Sequence, residues 1–380
     1  MRKIQMVDLQ KQYQDIKEEV DSAIQEVINN CTFINGPSVK QFQANLEKYL
    51  HVKHVIPCGN GTDGLQVSLM ALDLQPGDEV ITTTFTFIAT AEVIALLKLT
   101  PVLVDVESDT FNISISAVEK AVTNKTKAII PVHLFGQCVD MESLMKIAEK
   151  HNLHIVEDAC QAIGADYHFS NGEVKKAGTM GIIGCTSFFP SKNLGCYGDG
   201  GAVFTNDDVL AKKLRGIVNH GMFVRYYHDI VGVNSRLDSI QAAILDVKLK
   251  RLDDYIKRRN AAASFYNQVF ANHENIVIPQ RHKKSTHVFH QYTLVLKNVD
   301  RDKVVAYMKE QEIPVMIYYP VPLHLQKAYE YLSYKKGDLP VSEALSESVI
   351  SLPMHTELDD EQLNYITSHL LKAISLSKNK

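Results

Sequence analysis

The sequence holds no block rich in lysine or arginine, and its formal charge at pH 7 is only −4. Without a basic field there is nothing to gather nucleic acid. The longest apolar stretch, around residues 88–97, is cut by Glu92 and bounded by Lys98, too short to cross a bilayer. Residues 1–13 carry charge but lead into no apolar segment, so no secretory signal is expected. None of the six cysteines (Cys31, Cys58, Cys138, Cys160, Cys185 and Cys196) forms a CxxC pair, and several sit in apolar, strand-like runs. They read as free, buried thiols in a reducing cytoplasm, with no metal site expected. Internal repeats and low-complexity linkers are missing too. The expectation is a soluble cytoplasmic protein.

What is present is an ordinary globular mix, 45% hydrophobic and 22% charged, which excludes a disordered chain. A length of 380 residues suits a large domain with a smaller one. Over about the first two-thirds, apolar strand-like runs (54–58, 80–84, 101–105, 128–132, 153–157) alternate with helical patterns. The latter include 61–72, 88–97 and 141–151, the last with Leu144, Ile147 and Ala148 on one face. Strands that are apolar throughout are buried on both faces, as in a parallel sheet covered by helices. The alternation implies right-handed crossovers and an α/β sandwich. A long charged helical stretch follows at 237–270. Then the rhythm changes to a strand at 287–296, a helix at 301–311, a strand at 313–318 and two C-terminal helical patterns. The reading is residues 1–255 as an N-terminal arm with the large domain, and 256–380 as a small C-terminal α+β domain.

Three motifs carry the chemistry. Gly59-Asn60-Gly61-Thr62-Asp63-Gly64 matches GxGxxG between a strand and a helix. A dinucleotide site, a plain tight turn, and a phosphate cradle on free amides of Gly61 and Thr62 all compete for it. The dinucleotide reading needs an acid at the end of the second strand, about 20 residues on. Asp78 and Glu79 are near that distance but precede the strand, at the wrong end to meet a ribose. The second motif, Glu157-Asp158-Ala159-Cys160-Gln161, ends an apolar strand. An acid there either points at the ligand crevice of a parallel sheet or caps the next helix. The third, Ser187-Phe188-Phe189-Pro190-Ser191-Lys192-Asn193-Leu194-Gly195, precedes Gly198-Asp199-Gly200-Gly201. Its lysine is flanked by aromatics and glycine. Partial desolvation lowers a lysine pKa from about 10.4 and frees the amine as a nucleophile. These pieces fit pyridoxal 5′-phosphate, which needs a lysine for its aldehyde, a carboxylate for its ring nitrogen, and hydroxyls with amides for its phosphate. Lys192, Asp158 and Ser187 meet those needs, with Lys192 forming the Schiff base and moving the α-proton.

Many further segments in order carry a resemblance: Asn60-Gly61-Thr62-Asp63, Phe85-Thr86-Phe87-Ile88-Ala89-Thr90-Ala91, Pro131-Val132-His133-Leu134-Phe135-Gly136-Gln137, Asn219-His220-Gly221, Asn234-Ser235-Arg236-Leu237-Asp238 and Tyr319-Pro320-Val321-Pro322-Leu323-His324. With the Asp158 and Lys192 segments they make the chain resemble the DegT/DnrJ/EryC1/StrS sugar aminotransferases. The resemblance implies aspartate aminotransferase fold type I, with a mostly parallel sheet between helices. It implies Phe87 stacked on the pyridine ring, Gln161 near the phenolic oxygen, and Asn234 reaching the phosphate from the partner of a homodimer with shared sites. It also implies Arg236, Tyr318, Tyr319 and His324 around the substrate mouth. Cys160, Ile163 and Gly64 depart from the commoner Ala, His and Ala. Some members replace the lysine by histidine and dehydrate sugars; Lys192 argues against that here.

The expected reaction takes an amino group from L-glutamate to a keto carbon of a nucleotide-linked sugar. The Lys192 segment looks most like members that aminate C3, among them those acting on UDP-2-acetamido-2-deoxy-3-oxo-glucuronate. A dTDP- or UDP-linked 3-keto-6-deoxyhexose and a 4-keto sugar are the alternatives. A uronate carboxylate would call for a bidentate arginine, for which Arg225 and Arg236 are placed. A non-catalytic protein that binds the cofactor, and a nicotinamide oxidoreductase, are the other function classes.

Overall fold

Seven short strands build the main sheet of the computed structural model, which describes residues 1–378. After α1 (Leu9–Asn29) and α2 (Pro37–Leu50) come β1 (His54–Cys58), α3 (Gly61–Ala71), β2 (Glu79–Thr83), α4 (Ala89–Leu96), β3 (Thr100–Val104), α5 (Ile115–Ala121), β4 (Thr126–Ile130), α6 (Met141–His151) and β5 (His154–Asp158). A small hairpin, β6 (Asp166–His168) with β7 (Val174–Lys176), leads to β8 (Ile183–Ser187) and β9 (Gly201–Thr205). The sheet order is β1-β9-β8-β5-β4-β2-β3, and β9 alone runs antiparallel to its neighbours. The expected mostly parallel sheet between helices is what forms. Its strands are apolar because both faces are covered. β8 and β9 are buried along their whole length. One face packs Leu65, Leu69 and Leu214 against Val156 and Val203; the other packs Leu144 and Ile147 against Ile129 and Ile155.

Next come α7 (Asp208–Ile217), the exposed ribbon β10 (Met222–Val224) with β11 (Tyr227–His228), α8 (Ser239–Leu249) and α9 (Leu252–Phe270). The helical stretch read as continuous over 237–270 is two helices. Arg251 leaves the helical path at φ −110° and ψ −1°, and Asp253 with Asp254 favours a fresh helix start. The remaining elements are β12 (Ile276–Val277), β13 (Tyr292–Leu296), α10 (Arg301–Glu310), α11 (Pro340–Ser348), β14 (Val349–Leu352) and α12 (Asp360–Leu376). β12, β13 and β14 form a separate antiparallel sheet. Its core joins Tyr292 and Leu294 to Met308, Ile366, Leu370 and the later turns of α9.

Two expected strands shrink. Of 287–296 only β13 forms a strand, with His287 making an isolated bridge to Gln137, because Phe289 sits at φ +47° and breaks the run. The backbone before it is held by side chains: Asn193 donates to Val288 O, Asn260 to His287 O and Arg259 to Phe289 O. Of 313–318 only Met316 pairs, with Ser351. Among the described residues no helix is long and apolar enough to cross a membrane.

Candidate active site

The C-terminal ends of β1, β2, β5 and β8 converge on one cavity of about 560 Å³. Loops leaving that edge of a parallel sheet are where ligands usually bind. A wider groove of about 660 Å³, bordered by Asp78, Thr126 and His154, lies where β2, β4 and β5 begin. It holds no residue of the three chemical motifs. Glu79 opens β2 at that far edge, accepting from Thr123 and Thr126 hydroxyls.

Successive residues of β5 point to opposite faces. Glu157 turns into the protein and Asp158 into the cavity. The buried Asp158 carboxylate accepts from Thr90 Oγ1 at 2.8 Å and from the Cys160 amide at 3.2 Å, which fixes its rotamer. Lys192 extends from the loop after β8. That loop is pinned by Lys192 N to Phe189 O at 2.8 Å, Cys196 N to Phe188 O at 2.8 Å, and the Lys248 ammonium to Gly195 O. The side chain keeps some surface, but that surface faces the cavity. Burial therefore lowers the amine's pKa, while Cys160 and Asp158 partly restore it.

The opposite end of the cavity is the start of α3. Asn60 caps the helix, its Oδ1 accepting from Asp63 N at 2.8 Å, and leaves amides of Gly61 and Thr62 free. Asp63 is occupied by the Ser235 hydroxyl at 2.7 Å, and Ser235 Oγ accepts from Gly59 N at 2.8 Å. Ser187 ends β8 beside this turn. A Cβ on Gly61 would lie 2.8 Å from both Cys160 Sγ and Ser187 Cβ, so only glycine lets the turn close on the floor. Phe87 and Phe189 flank the opening and are 57% and 52% exposed, large apolar faces left uncovered. Gln161 accepts from Phe135 N at 2.9 Å and donates to Tyr319 Oη at 3.1 Å; Tyr318 lines the same wall.

Lys192, Asp158, Ser187, Gly61, Thr62, Phe87, Gln161, Tyr318 and Tyr319 therefore share one cavity. Four flagged residues do not line it. Asn234 is exposed, bridged to Asn219. Arg236 is half-buried with its guanidinium 3.5 Å from Asn219 Oδ1. Arg225 is exposed and lies over the Tyr226 ring. His324 is buried away from the cavity, its Nδ1 paired with Thr84 Oγ1 at 2.9 Å and its Nε2 with Glu343 at 3.1 Å. Both ring nitrogens are thus occupied within this chain.

Sequence reasoning missed His290 and Gln291, which line the cavity after the Phe289 break. Burial, then the Lys192 and Arg259 charges, drive the His290 pKa well below its ordinary value, so the ring is neutral. Its Nδ1 is buried with no hydrogen-bond partner among the described residues. A polar His-Gln pair inside an apolar run was the available signal.

A model of the DegT/DnrJ/EryC1/StrS aminotransferase family matches residues 14–371. The chain belongs to this family. A Geobacillus stearothermophilus relative named "Pleiotropic regulatory protein" is 47% identical, covering 97% of this chain and 97% of its own length. The Pseudomonas aeruginosa "UDP-2-acetamido-2-deoxy-3-oxo-D-glucuronate aminotransferase" is 43% identical over 97% of this chain and 99% of its own. The crystal structure of S. venezuelae DesV superposes with a TM-score of 0.93 at 36% identity, covering 98% of both chains. The aminotransferase uses pyridoxal 5′-phosphate, as its family and solved neighbours do. The cavity fits that group: a desolvated lysine and a fixed carboxylate share its floor, a glycine turn opens a helix N-terminus, and aromatic faces flank the opening. The dinucleotide reading of residues 59–64 falls with this assignment.

Proposed function

We propose that this aminotransferase moves an amino group from L-glutamate to C3 of a nucleotide-linked 3-keto sugar, with Lys192 as the catalytic amine. The observation that carries the reading is the desolvated Lys192 amine set in one cavity with a fixed Asp158 carboxylate. When bound, pyridoxal phosphate supplies an electrophilic carbon and an electron sink. Lys192 would take up and return the proton at the reacting carbon, which needs an amine that is neutral part of the time. Asp158 would hold a positive charge on the ring nitrogen. Gly61 and Thr62 amides with the Ser187 hydroxyl would hold the phosphate. Phe87 would stack on the ring, and Gln161, itself held by Phe135 and Tyr319, would face the ring oxygen. Tyr318, Tyr319 and Arg236 would border the sugar.

Asn234 and Arg236 stand outside this chain's cavity, so the reading gives them to the site of a second copy. Phe223, Val224, Tyr226, Tyr227 and Val231 are exposed around the β10–β11 ribbon and offer apolar surface for such a partner. A homodimer in the cytoplasm follows from the same reading. The Pseudomonas relative's name favours a 3-keto uronate, for whose carboxylate Arg225 or Arg236 would serve. The test is a panel of UDP- and dTDP-linked 3-keto and 4-keto sugars, assayed with glutamate. Preferred turnover of a 3-keto sugar supports the reading; turnover of 4-keto sugars alone overturns C3. The Geobacillus relative's name keeps a regulatory role in view, and absence of turnover with every sugar would favour it.

A further inference from the structure

The scattered cysteines come together in the fold. Cys160 Sγ, Cys185 Sγ and an Asp158 carboxylate oxygen all lie within 4.8 Å of one another. Cys160 and the buried Asp158 line the cavity, while Cys185 is fully buried and is not part of its lining. Cys58 packs alongside: a Cβ on Gly64 would lie 3.2 Å from Cys185 Cβ and 3.6 Å from Cys58 Sγ. Two thiols and a carboxylate form a donor set for a borderline-soft divalent ion, not for magnesium or calcium. A tetrahedral zinc, about 2.3 Å from sulfur and about 2.0 Å from oxygen, keeps its ligands within about 4 Å of one another. The cluster's mutual spacing of 4.8 Å or less is close to that. Its outer partners are in place too, since Thr90 and the Cys160 amide already orient the carboxylate. Two of the three donors, Cys160 and Asp158, line the cavity, which gives an ion its path of entry.

We propose that the cofactor-free pocket binds one zinc ion through Cys160, Cys185 and Asp158, and that zinc and pyridoxal phosphate exclude one another. On binding, the two S–H bonds give up their protons to solvent, two zinc–sulfur bonds and one zinc–carboxylate bond replace bonds to waters of the hydrated ion, which are released, and no electron moves. Two thiolates and a carboxylate give the occupied site one net negative charge, facing the Lys192 amine. Exclusion follows because Asp158 cannot serve the metal and the cofactor ring together; only that half rests on the cofactor roles proposed above. The proposal replaces the expectation, drawn from cysteine spacing, that no metal site exists.

The test uses the full chain stripped of cofactor and titrated with Cd²⁺, whose bonds to sulfur absorb in the ultraviolet, and with Zn²⁺ followed by metal analysis. One ion per chain is expected. Cys160→Ser and Cys185→Ser should each weaken binding by at least about tenfold, and Cys58→Ser should leave it within about twofold. Asp158→Asn keeps both thiols and should also weaken it, and circular dichroism checks that each variant folds. Prior loading with pyridoxal phosphate should raise the apparent Kd for Cd²⁺ by at least about tenfold. An absent sulfur-to-cadmium band, binding that persists in the Cys160→Ser/Cys185→Ser double variant, or equal binding with and without cofactor would each overturn the proposal. Turnover is not the readout, so this outcome and that of the sugar panel are independent.

Discussion

In its proposed role Lys192 needs two properties that compete. Its amine must be dry enough to lose a proton, yet open to a ligand. The loop after β8 meets both by facing the amine into the cavity, where burial lowers its pKa. Lys192→Ala should cut transamination by at least about a thousandfold, with the far-ultraviolet spectrum unchanged because the residue is not part of a core run. Asp158→Asn keeps the shape and removes the charge, and should slow the reaction by about 3 kcal/mol, roughly a hundredfold; steady-state rates on loaded enzyme would measure it, and a near-wild-type rate would make Asp158 structural. Both residues were legible in the sequence because their flanks are local: an apolar strand, then Glu-Asp, or aromatics and glycines around a lysine. His290 was not. Its place depends on the left-handed turn at Phe289 and on packing against residues distant in sequence.

At the scale of elements, β5 does two jobs through its last two residues. Asp158 faces the cavity, while the wholly buried Glu157 accepts from His133 Nε2 at 2.8 Å, Gly178 N at 2.9 Å, Met180 N at 2.5 Å and Gly181 N. It thereby fastens the 178–181 turn that leads into β8. Glu157→Ala strands three amides, and urea unfolding should show a loss of about 3–5 kcal/mol; a loss under about 1 kcal/mol would contradict this role. α8 fastens the other side of the lysine loop through Lys248 and Gly195 O. Burial pushes the Lys248 pKa down from 10.5 to about 8, with Cys196 opposing and Arg259 adding to the shift. Between those values the folded chain holds fewer protons than the unfolded one, so this group's contribution to stability rises with pH across that window. Measured against Lys248→Met, wild-type stability should gain up to about 3 kcal/mol from pH 7 to 10.5. The sequence showed the alternation of β1 to β5 with their helices because their apolar runs are continuous. It hid the α8–α9 break, since a charged helical pattern continues through Arg251.

At the scale of the whole molecule, the proposed homodimer makes each site depend on two chains. Lys192→Ala and Asn234→Ala subunits should each be impaired alone. Mixed and reassorted, half the dimers would carry one intact site, restoring about a quarter of the wild-type rate; no recovery after verified subunit exchange would place Asn234 outside the partner's site. Family and fold were readable because many motifs recur in one order along the chain, whereas the cysteine cluster was not, because only folding brings Cys160 on the loop after β5 beside Cys185 on β8. The most direct measurement of the central claim follows the nitrogen itself. The loaded enzyme is incubated with ¹⁵N-glutamate and a UDP-linked 3-keto sugar, and the nucleotide sugar is analysed by mass spectrometry beside a Lys192→Ala control. Expected is one ¹⁵N atom in place of the keto oxygen, at C3, with wild type only. A sugar that stays unlabelled across the nucleotide and keto-position panel, or equal labelling by the Lys192→Ala protein, would contradict it.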